Sequence, residues 1–281
     1  MPHPFFDARR PLVFAHRGGA RLAPENTIAA FDNGLALGAD GLELDVRLSK
    51  EGVVVVHHDS LVDRTTNLRG AVSALTAAEL ARADAGYHFK VEGDWPFRGR
   101  GVGVPSLRSV LDRYPGRRVI VEMKVNHPDC ARSVVDVVRA AGAVDRVCLG
   151  AFGRRVLRAA RALEPSIATS AAREEVRWAL YRSWCRWPVS RVPYAGYQIP
   201  EIAGSTTVLS PRFVADAHRA GLGVHVWTVD DEDAAHRMLA WGVDGLITDR
   251  PDLIAPLCNR TVNRERELRT ELRTENPRFT T

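Results

Sequence analysis

Lysine is scarce in this chain. Of 39 lysines and arginines only Lys50, Lys90 and Lys124 are lysines, so the net charge of +5 is carried almost wholly by arginine. The basic residues are scattered among 34 acidic ones and form no stripe interleaved with aromatics, which argues against nucleic-acid binding. An anionic substrate fits the charge at least as well. Cysteine is also sparse: Cys130, Cys148, Cys185 and Cys258 show neither a paired metal spacing nor a dense disulfide pattern. They are expected to be reduced, mostly buried thiols. The chain has no run of about 18 apolar residues, and its first ten residues hold no apolar stretch behind a positive one. A soluble, cytoplasmic protein is therefore expected. At 281 residues and 45% hydrophobic, the chain can bury one large α/β barrel-sized core or two smaller ones.

The stretch with the most chemistry is residues 40–59. Two apolar runs, Leu42 to Leu48 and Val53 to Val56, flank Ser49-Lys50-Glu51-Gly52. That connection is too short for a parallel crossover, so the pair is expected to be an antiparallel hairpin. Side chains alternate along a strand, which puts Glu43 and Asp45 on one face. A turn of even length would pair Glu43 with His58, while an odd-length turn or a bulge would substitute His57. His58 is the residue expected here. An ordinary hairpin with its polar face in water shows the same alternation.

The rest of the chain supplies a repeating scaffold. Val13 to Ala15 is a short apolar run that opens into His16-Arg17-Gly18-Gly19. A helix is expected from about Ile28 to Leu37, with Asn26 or Thr27 as its cap, whereas Glu25 is harder to explain as a capping residue. After the hairpin, residues 59–104 show no sustained alternation and only one helical stretch, Ala77 to Ala83. They are expected to form a small insertion beside the site. From Pro105 onward, strand-like runs (Val119 to Val121, Val147 to Phe152, Ile167 to Ser170, Tyr197 to Ile199, Val224 to Val229, Leu246 to Thr248) alternate with helical ones. This pattern predicts a parallel sheet covered by helices. With the strands at Val13 and Leu42 it makes about eight units, the number a closed (β/α) barrel needs. The domain is expected to span residues 11–258, followed by a charged, frayed tail over 259–281.

Several of these strands end in polar residues: His16-Arg17, Glu43-Leu44-Asp45, Glu122-Met123-Lys124, Gln198 and Trp227. In a closed barrel such ends converge on one rim, whereas an open sheet would spread them apart. Glu43, Asp45 and Glu122 together would repel unless protonated or neutralised by a cation. Their oxygen donors suit a hard ion such as Mg²⁺ or Ca²⁺. Arg17 and Lys124 would make the same pocket suitable for an anion. Taken singly, His16 also fits a hydrogen-bonded loop histidine, Trp227 a core residue, and Gln198 either a pocket wall or a backbone partner. His225 is expected in the barrel interior, and Asp249 and Arg250 are expected to pair with each other.

These residues carry a resemblance. His16-Arg17-Gly18, Pro24-Glu25-Asn26-Thr27, Gly38-Ala39-Asp40 through Glu43-Leu44-Asp45-Val46, His58-Asp59, Arg64-Thr65-Thr66, Val121-Glu122-Met123-Lys124, Trp227-Thr228-Val229, and Gly242-Val243-Asp244-Gly245 through Thr248-Asp249-Arg250-Pro251 occur in order across roughly residues 12–257. Together they resemble the glycerophosphodiester phosphodiesterase family. The resemblance implies a TIM (β/α)8 barrel with a small insertion after the second-strand hairpin, and metal-dependent hydrolysis of glycerophosphodiesters to sn-glycerol 3-phosphate and an alcohol. It implies His16 and His58 as the acid/base pair, Glu43, Asp45 and Glu122 as ligands to Mg²⁺ or Ca²⁺, and Arg17 and Lys124 on the phosphate. Trp227 would lie on the glycerol or alcohol side. Ser49, Glu51, Val104 and Ser106 depart from the family's commoner residues, and none of these is a proposed catalytic position.

Two routes suit this chemistry. A histidine could activate the glycerol 2-hydroxyl to give a cyclic phosphate that water then opens, or water could attack directly. The segment from Arg173 to Tyr194 carries Trp178, Tyr181, Trp184 and Trp187 among arginines. Its aromatics are expected to pack on the barrel. The alternative is a weak contact with a membrane surface, and the enzyme would then be a lysophospholipase D or a phospholipase-type phosphodiesterase acting on lipids.

Overall fold

The computed structural model describes residues 3–8, 10–188 and 191–259. The expected charged tail lies, apart from its first residue, outside the described residues. Eight parallel strands dominate: β1 (Leu12–His16), β2 (Gly41–Leu48), β4 (Arg118–Met123), β5 (Val147–Gly150), β6 (Ala168–Thr169), β7 (Gly196–Ile199), β10 (Gly223–Val226) and β11 (Gly245–Thr248). Their order is β6-β5-β4-β2-β1-β11-β10-β7. The two ends of that path meet at a parallel bridge between Ser170 and Gly196, flanked by Ala171 N–H to the Gly196 carbonyl at 2.9 Å and Ala195 N–H to the Thr169 carbonyl at 2.9 Å. The sheet is therefore a nearly closed barrel.

Helices α1 (Ile28–Ala36), α3 (Leu107–Arg113), α4 (Pro128–Ala140), α5 (Arg154–Leu163), α6 (Arg173–Trp184), α7 (Pro211–Arg219) and α8 (Glu232–Ala240) fall between the barrel strands, and residues 251–259 are helical after the last of them. The short α2 (Ala77–Arg82) belongs to the insertion, where Val62, Val72, Leu80 and Val104 form a small core together with Val55 of the preceding hairpin. An antiparallel pair not anticipated from sequence, β8 (Ile202–Ala203) with β9 (Thr206–Thr207), stands beyond β7. Thr27, not Asn26, caps α1, accepting from Ala30 N–H.

Strand alternation separates two kinds of packing. Leu42, Leu44, Val46, Val119 and Val121 face outward into the layer shared with the helices. Phe14, Ile120, Cys148 and Ile247 face inward with Phe5 and Phe6 of the N-terminal segment. Those two phenylalanines plug the bottom of the barrel. Phe6 needs Gly223 beneath it, since a Cβ there would stand 2.3 Å from the ring. His225 is fully buried, as expected, packed against Phe6 and Phe14 at ring distances of 4.7 and 5.0 Å. Above this apolar plug the inward positions turn polar.

The hairpin register differs from the expectation. The short β3 (Val54–Val56) pairs antiparallel with β2, with Leu48 opposite Val54 and Val46 opposite Val56. The turn thus holds five residues, an odd number. Continuing that ladder puts His57 opposite Asp45, and His57 N–H does bond the Asp45 carbonyl at 2.9 Å. Its ring, however, turns to the Asp59 carbonyl and Thr65 Oγ1 of the insertion. Regular pairing ends at Val56, and the departing chain carries His58 back over the barrel mouth. His58 reaches the site by this departure and not by the pairing with Glu43 that an even turn would give.

Candidate active site

All nine side chains singled out from sequence line one cavity of about 110 Å³ at the mouth of the barrel: His16, Arg17, Glu43, Asp45, His58, Glu122, Lys124, Gln198 and Trp227. Parallel register explains the convergence. His16 of β1 pairs with Glu43 of β2, and Asp45 of β2 pairs with Glu122 of β4. Each lies where its strand leaves the apolar layer, so neighbours in register become neighbours in the cavity. Ile120, Phe152 and Ile247 complete the wall.

The carboxylates are held in an alternating lattice of charge. Lys124 Nζ stands 2.9 Å from Asp45 Oδ1 and 3.0 Å from Glu122 Oε1. Arg17 has a left-handed backbone, φ 51°. From it the N–H donates to Glu43 Oε2 at 3.1 Å, and the guanidinium lies against Glu25 at 3.0 Å and Asp45 at 3.2 Å. Gly18, at φ 91°, follows it, and a Cβ there would meet Ala30 at 2.6 Å. Asn26 is also left-handed, φ 59°. Its amide donates to Asp45 Oδ2 at 2.9 Å and accepts from Asp45 N–H at 3.2 Å. It therefore fixes Asp45, a role distinct from the expected helix cap.

Each histidine has its own carboxylate. His16 Nδ1 lies 2.7 Å from Asp249 Oδ1, and His58 Nδ1 lies 2.6 Å from Asp59 Oδ1. Asp249 is thus engaged by His16 and not by Arg250, which pairs with Asp252. Arg64 bridges Asp59 and Glu25, linking the His58 pair to the Arg17 cluster, and Arg47 Nε holds the His58 carbonyl at 2.9 Å. Burial disfavours the charged imidazole of His16, but the carboxylates of Glu43 and Asp249 outweigh it and raise the group to about 9. Burial, reinforced by Asp45, pushes Glu43 up to about 7. Asp45 is buried as well, yet Lys124 and Arg17 hold it below the usual carboxylate range.

The histidine partners Asp59 and Asp249, the Asp45 anchor Asn26, and the wall residue Phe152 were not assigned to the site from sequence. For Asp59 and Asp249 the available signal was that each sits inside a family motif, Asp59 directly after His58.

A model of the glycerophosphoryl diester phosphodiesterase family matches residues 16–253. The chain belongs to this family. It is 30% identical over 256 residues to a glycerophosphodiester phosphodiesterase of Caldanaerobacter subterraneus subsp. tengcongensis, covering 89% of this chain and 99% of that one. Among solved structures it is similar to a glycerophosphodiester phosphodiesterase from Agrobacterium tumefaciens, with TM-score 0.71, 30% identity, and 88% and 99% of the two chains covered. It is also similar to an Oleispira antarctica phosphodiesterase in complex with the product sn-glycerol-3-phosphate, with TM-score 0.69, 28% identity, and 87% and 95% covered. The barrel expected from the strand alternation is thus the fold that the family's solved members share.

The donor chemistry of this cavity fits a hard divalent cation. Glu43, Asp45 and Glu122 offer only oxygens, and Glu43 is a carboxyl whose ionisation is disfavoured by its burial and by Asp45, which a cation would offset. Among the described residues no three acidic, histidine or cysteine side chains close around a single point, and Lys124 lies between Asp45 and Glu122.

Proposed function

We propose that this protein hydrolyses glycerophosphodiesters to sn-glycerol 3-phosphate and an alcohol, with Mg²⁺ or Ca²⁺ as cofactor and His16 and His58 as the acid/base pair. The observation that carries this reading is the meeting, in one cavity, of two carboxylate-backed imidazoles with three carboxylates and two cations. Glu43, Asp45 and Glu122 would hold the metal ion, which when bound supplies Lewis-acid charge for the phosphoryl oxygens. The rest follows from the chain's own groups.

A phosphodiester is an anion with a poor alkoxide leaving group. Arg17 and Lys124, both in the cavity, offer a guanidinium fork and a point charge to its oxygens. One imidazole takes the proton from the glycerol 2-hydroxyl as that oxygen bonds to phosphorus, and the other protonates the departing alkoxide oxygen. The five-membered cyclic phosphate so formed is then opened by water. Asp249 and Asp59 each accept from a ring nitrogen, which leaves the opposite nitrogen of each ring directed to the chemistry. Trp227, beside Phe152 at a ring distance of 6.0 Å and near-perpendicular, walls the substrate's organic side.

The test is release of sn-glycerol 3-phosphate from glycerophosphocholine and glycerophosphoethanolamine, with and without chelator, beside His16→Ala and His58→Ala. Metal-dependent release lost in both variants supports the reading. Release indifferent to chelator and to both substitutions contradicts it. Accumulation of cyclic glycerol phosphate in a slow variant separates the cyclic route from direct attack by water.

A further inference from the structure

Beside the catalytic cavity lies a second and much larger one of about 890 Å³. The two share Glu122, Phe152, Gln198 and Trp227, so they adjoin along the Phe152 and Trp227 rings. One wall is α6 and the opposite wall is the β8–β9 hairpin. The lining is apolar for most of its length, with Val176, Leu180, Ile199 and Val208 inside it. Glycerol, choline and ethanolamine have no use for such a surface, since their polar groups would find few partners there.

The rim is unusual in the same way. α6 buries Ala179, Leu180 and Ser183, while Trp178, Tyr181 and Trp184 follow one another at three-residue spacing on its open side. The expectation that these aromatics pack on the barrel is not met: Trp178 is 55% exposed and Trp184 is 62% exposed. Trp178 and Tyr181 stack at 5.7 Å, and all three line the large cavity. Ile202, at the base of the facing hairpin, is 58% exposed. A contiguous exposed apolar rim around an apolar trough marks a binding surface. Arg173 lies in both the trough wall and the approach to Lys124, its guanidinium 4.9 Å from the Phe152 ring. The trough thus joins an apolar lining to charged groups, Arg173, Glu174 and Glu122, on the side of the phosphodiester site.

The geometry points to a substrate whose phosphodiester sits among the histidines and whose single long hydrocarbon chain lies in the α6 trough: a lysophospholipid-type amphiphile. This assignment rests on the phosphodiesterase reading above and adds the substrate class. In the reaction the phosphorus–oxygen bond to the headgroup alcohol breaks, that oxygen takes a proton, and water supplies the oxygen and proton that complete the acylglycerol phosphate. A chain attached to the glycerol then needs no second site, because the cavity that would hold it adjoins the one that holds the phosphate. Trp178, Tyr181 and Trp184 at the rim would meet the lipid surface from which the molecule is drawn.

The experiment compares kcat/KM for glycerophosphocholine with that for hexanoyl, octanoyl, decanoyl and dodecanoyl lysophosphatidylcholines below their micelle concentrations, with metal present. The same series is run with Ala203→Trp, which fills the trough from the hairpin side, and with Trp184→Ala, which opens its rim. The expected result is a rise of roughly two- to fourfold per added methylene until the trough is full, expressed mainly in KM, and a flattened series in both variants. Turnover of glycerophosphocholine with a chain-length series that is flat, or with no acylated substrate accepted, overturns the tail assignment and leaves the phosphodiesterase reading standing. A flat series together with a dimer in solution that Trp184→Ala dissociates overturns it in favour of a second copy of the chain on the same surface. Failure to turn over any of these substrates overturns both readings.

Discussion

His16 and Asp249 stand 2.7 Å apart, Nδ1 to Oδ1, although 233 positions separate them in the chain. The contact exists because β1 pairs with β11 in parallel, Ala15 beside Thr248, so the residue following each pair member lies at the same level of the rim. Asp249 fixes the ring of His16 in its tautomer and orientation. Asp249→Asn is expected to lower kcat by about a hundredfold or more with little change in KM, and His16→Ala by roughly a hundred- to ten-thousandfold. Steady-state kinetics on glycerophosphocholine checks both. A fall confined to KM would show that Asp249 serves substrate binding instead.

Removing the metal is expected to abolish turnover, and either Mg²⁺ or Ca²⁺ should restore it. Glu43→Gln keeps the size of the side chain but removes its charge, so the metal concentration for half-maximal activity should rise roughly tenfold or more. Titration of the dialysed protein, read by calorimetry as well as by activity, would detect the change. Equal metal affinity in the two proteins would remove Glu43 from the ligand set.

Asn26 serves the buried Asp45 with both ends of its amide. Its loss leaves a nearly buried carboxylate short of a donor, at a cost of about 1 to 3 kcal/mol in stability. Because the backbone there is left-handed, φ 59°, Asn26→Ala should be less stable than Asn26→Gly by about 1 kcal/mol. Urea denaturation of the two variants gives the comparison directly, and equal midpoints would show that the backbone conformation carries no such cost.

His225 governs part of the acid sensitivity of the fold. Both ring nitrogens are buried without a hydrogen-bond partner among the described residues. Burial, with a minor contribution from Arg118, pushes the group down to about 3 from an ordinary 6.5. The unfolded chain therefore binds a proton that the folded chain refuses. Stability from this residue is complete above about 6.5 and is lost as the pH falls toward 3, by roughly 4 to 5 kcal/mol in all. His225→Leu, which places no polar atoms between Phe6 and Phe14, should be as stable as the parent at neutral pH and less sensitive to acid. Parallel stability curves for the two proteins between pH 7 and pH 4 would contradict this.

Much of the architecture was legible from local pattern. Runs such as Val119 to Val121 and Leu246 to Thr248 are too short and too apolar for surface elements, and they recur between amphipathic stretches, which is how a parallel sheet under helices must look. Thr76, Ser106 and Ser210 cap the helices they precede, a local signal that the sequence also carries. Less legible was anything that depends on a count of residues in a turn. The hairpin after β2 has an odd turn, and His58 still enters the site because strand pairing stops one residue before His57. The β8–β9 hairpin escaped notice because two-residue strands have no periodicity. The outward turn of Trp178 and Trp184 escaped because an aromatic helix face reads alike whether it meets the barrel or solvent.

Sequence by itself determined which side chains could share a face and which chemistry they could support. Alternation along a strand is a local steric rule, and it places Glu43 with Asp45, and Glu122 with Lys124, whatever the rest of the chain does. Only the tertiary structure decided the partners across the barrel. Closure at Ser170 and Gly196, with β11 laid against β1, brings Asp249 to His16 and sets the α6 trough beside Trp227. Those contacts depend on how many strands the sheet closes on and in what register, and that is a property of the whole hydrogen-bonded cylinder, not of any one segment of it.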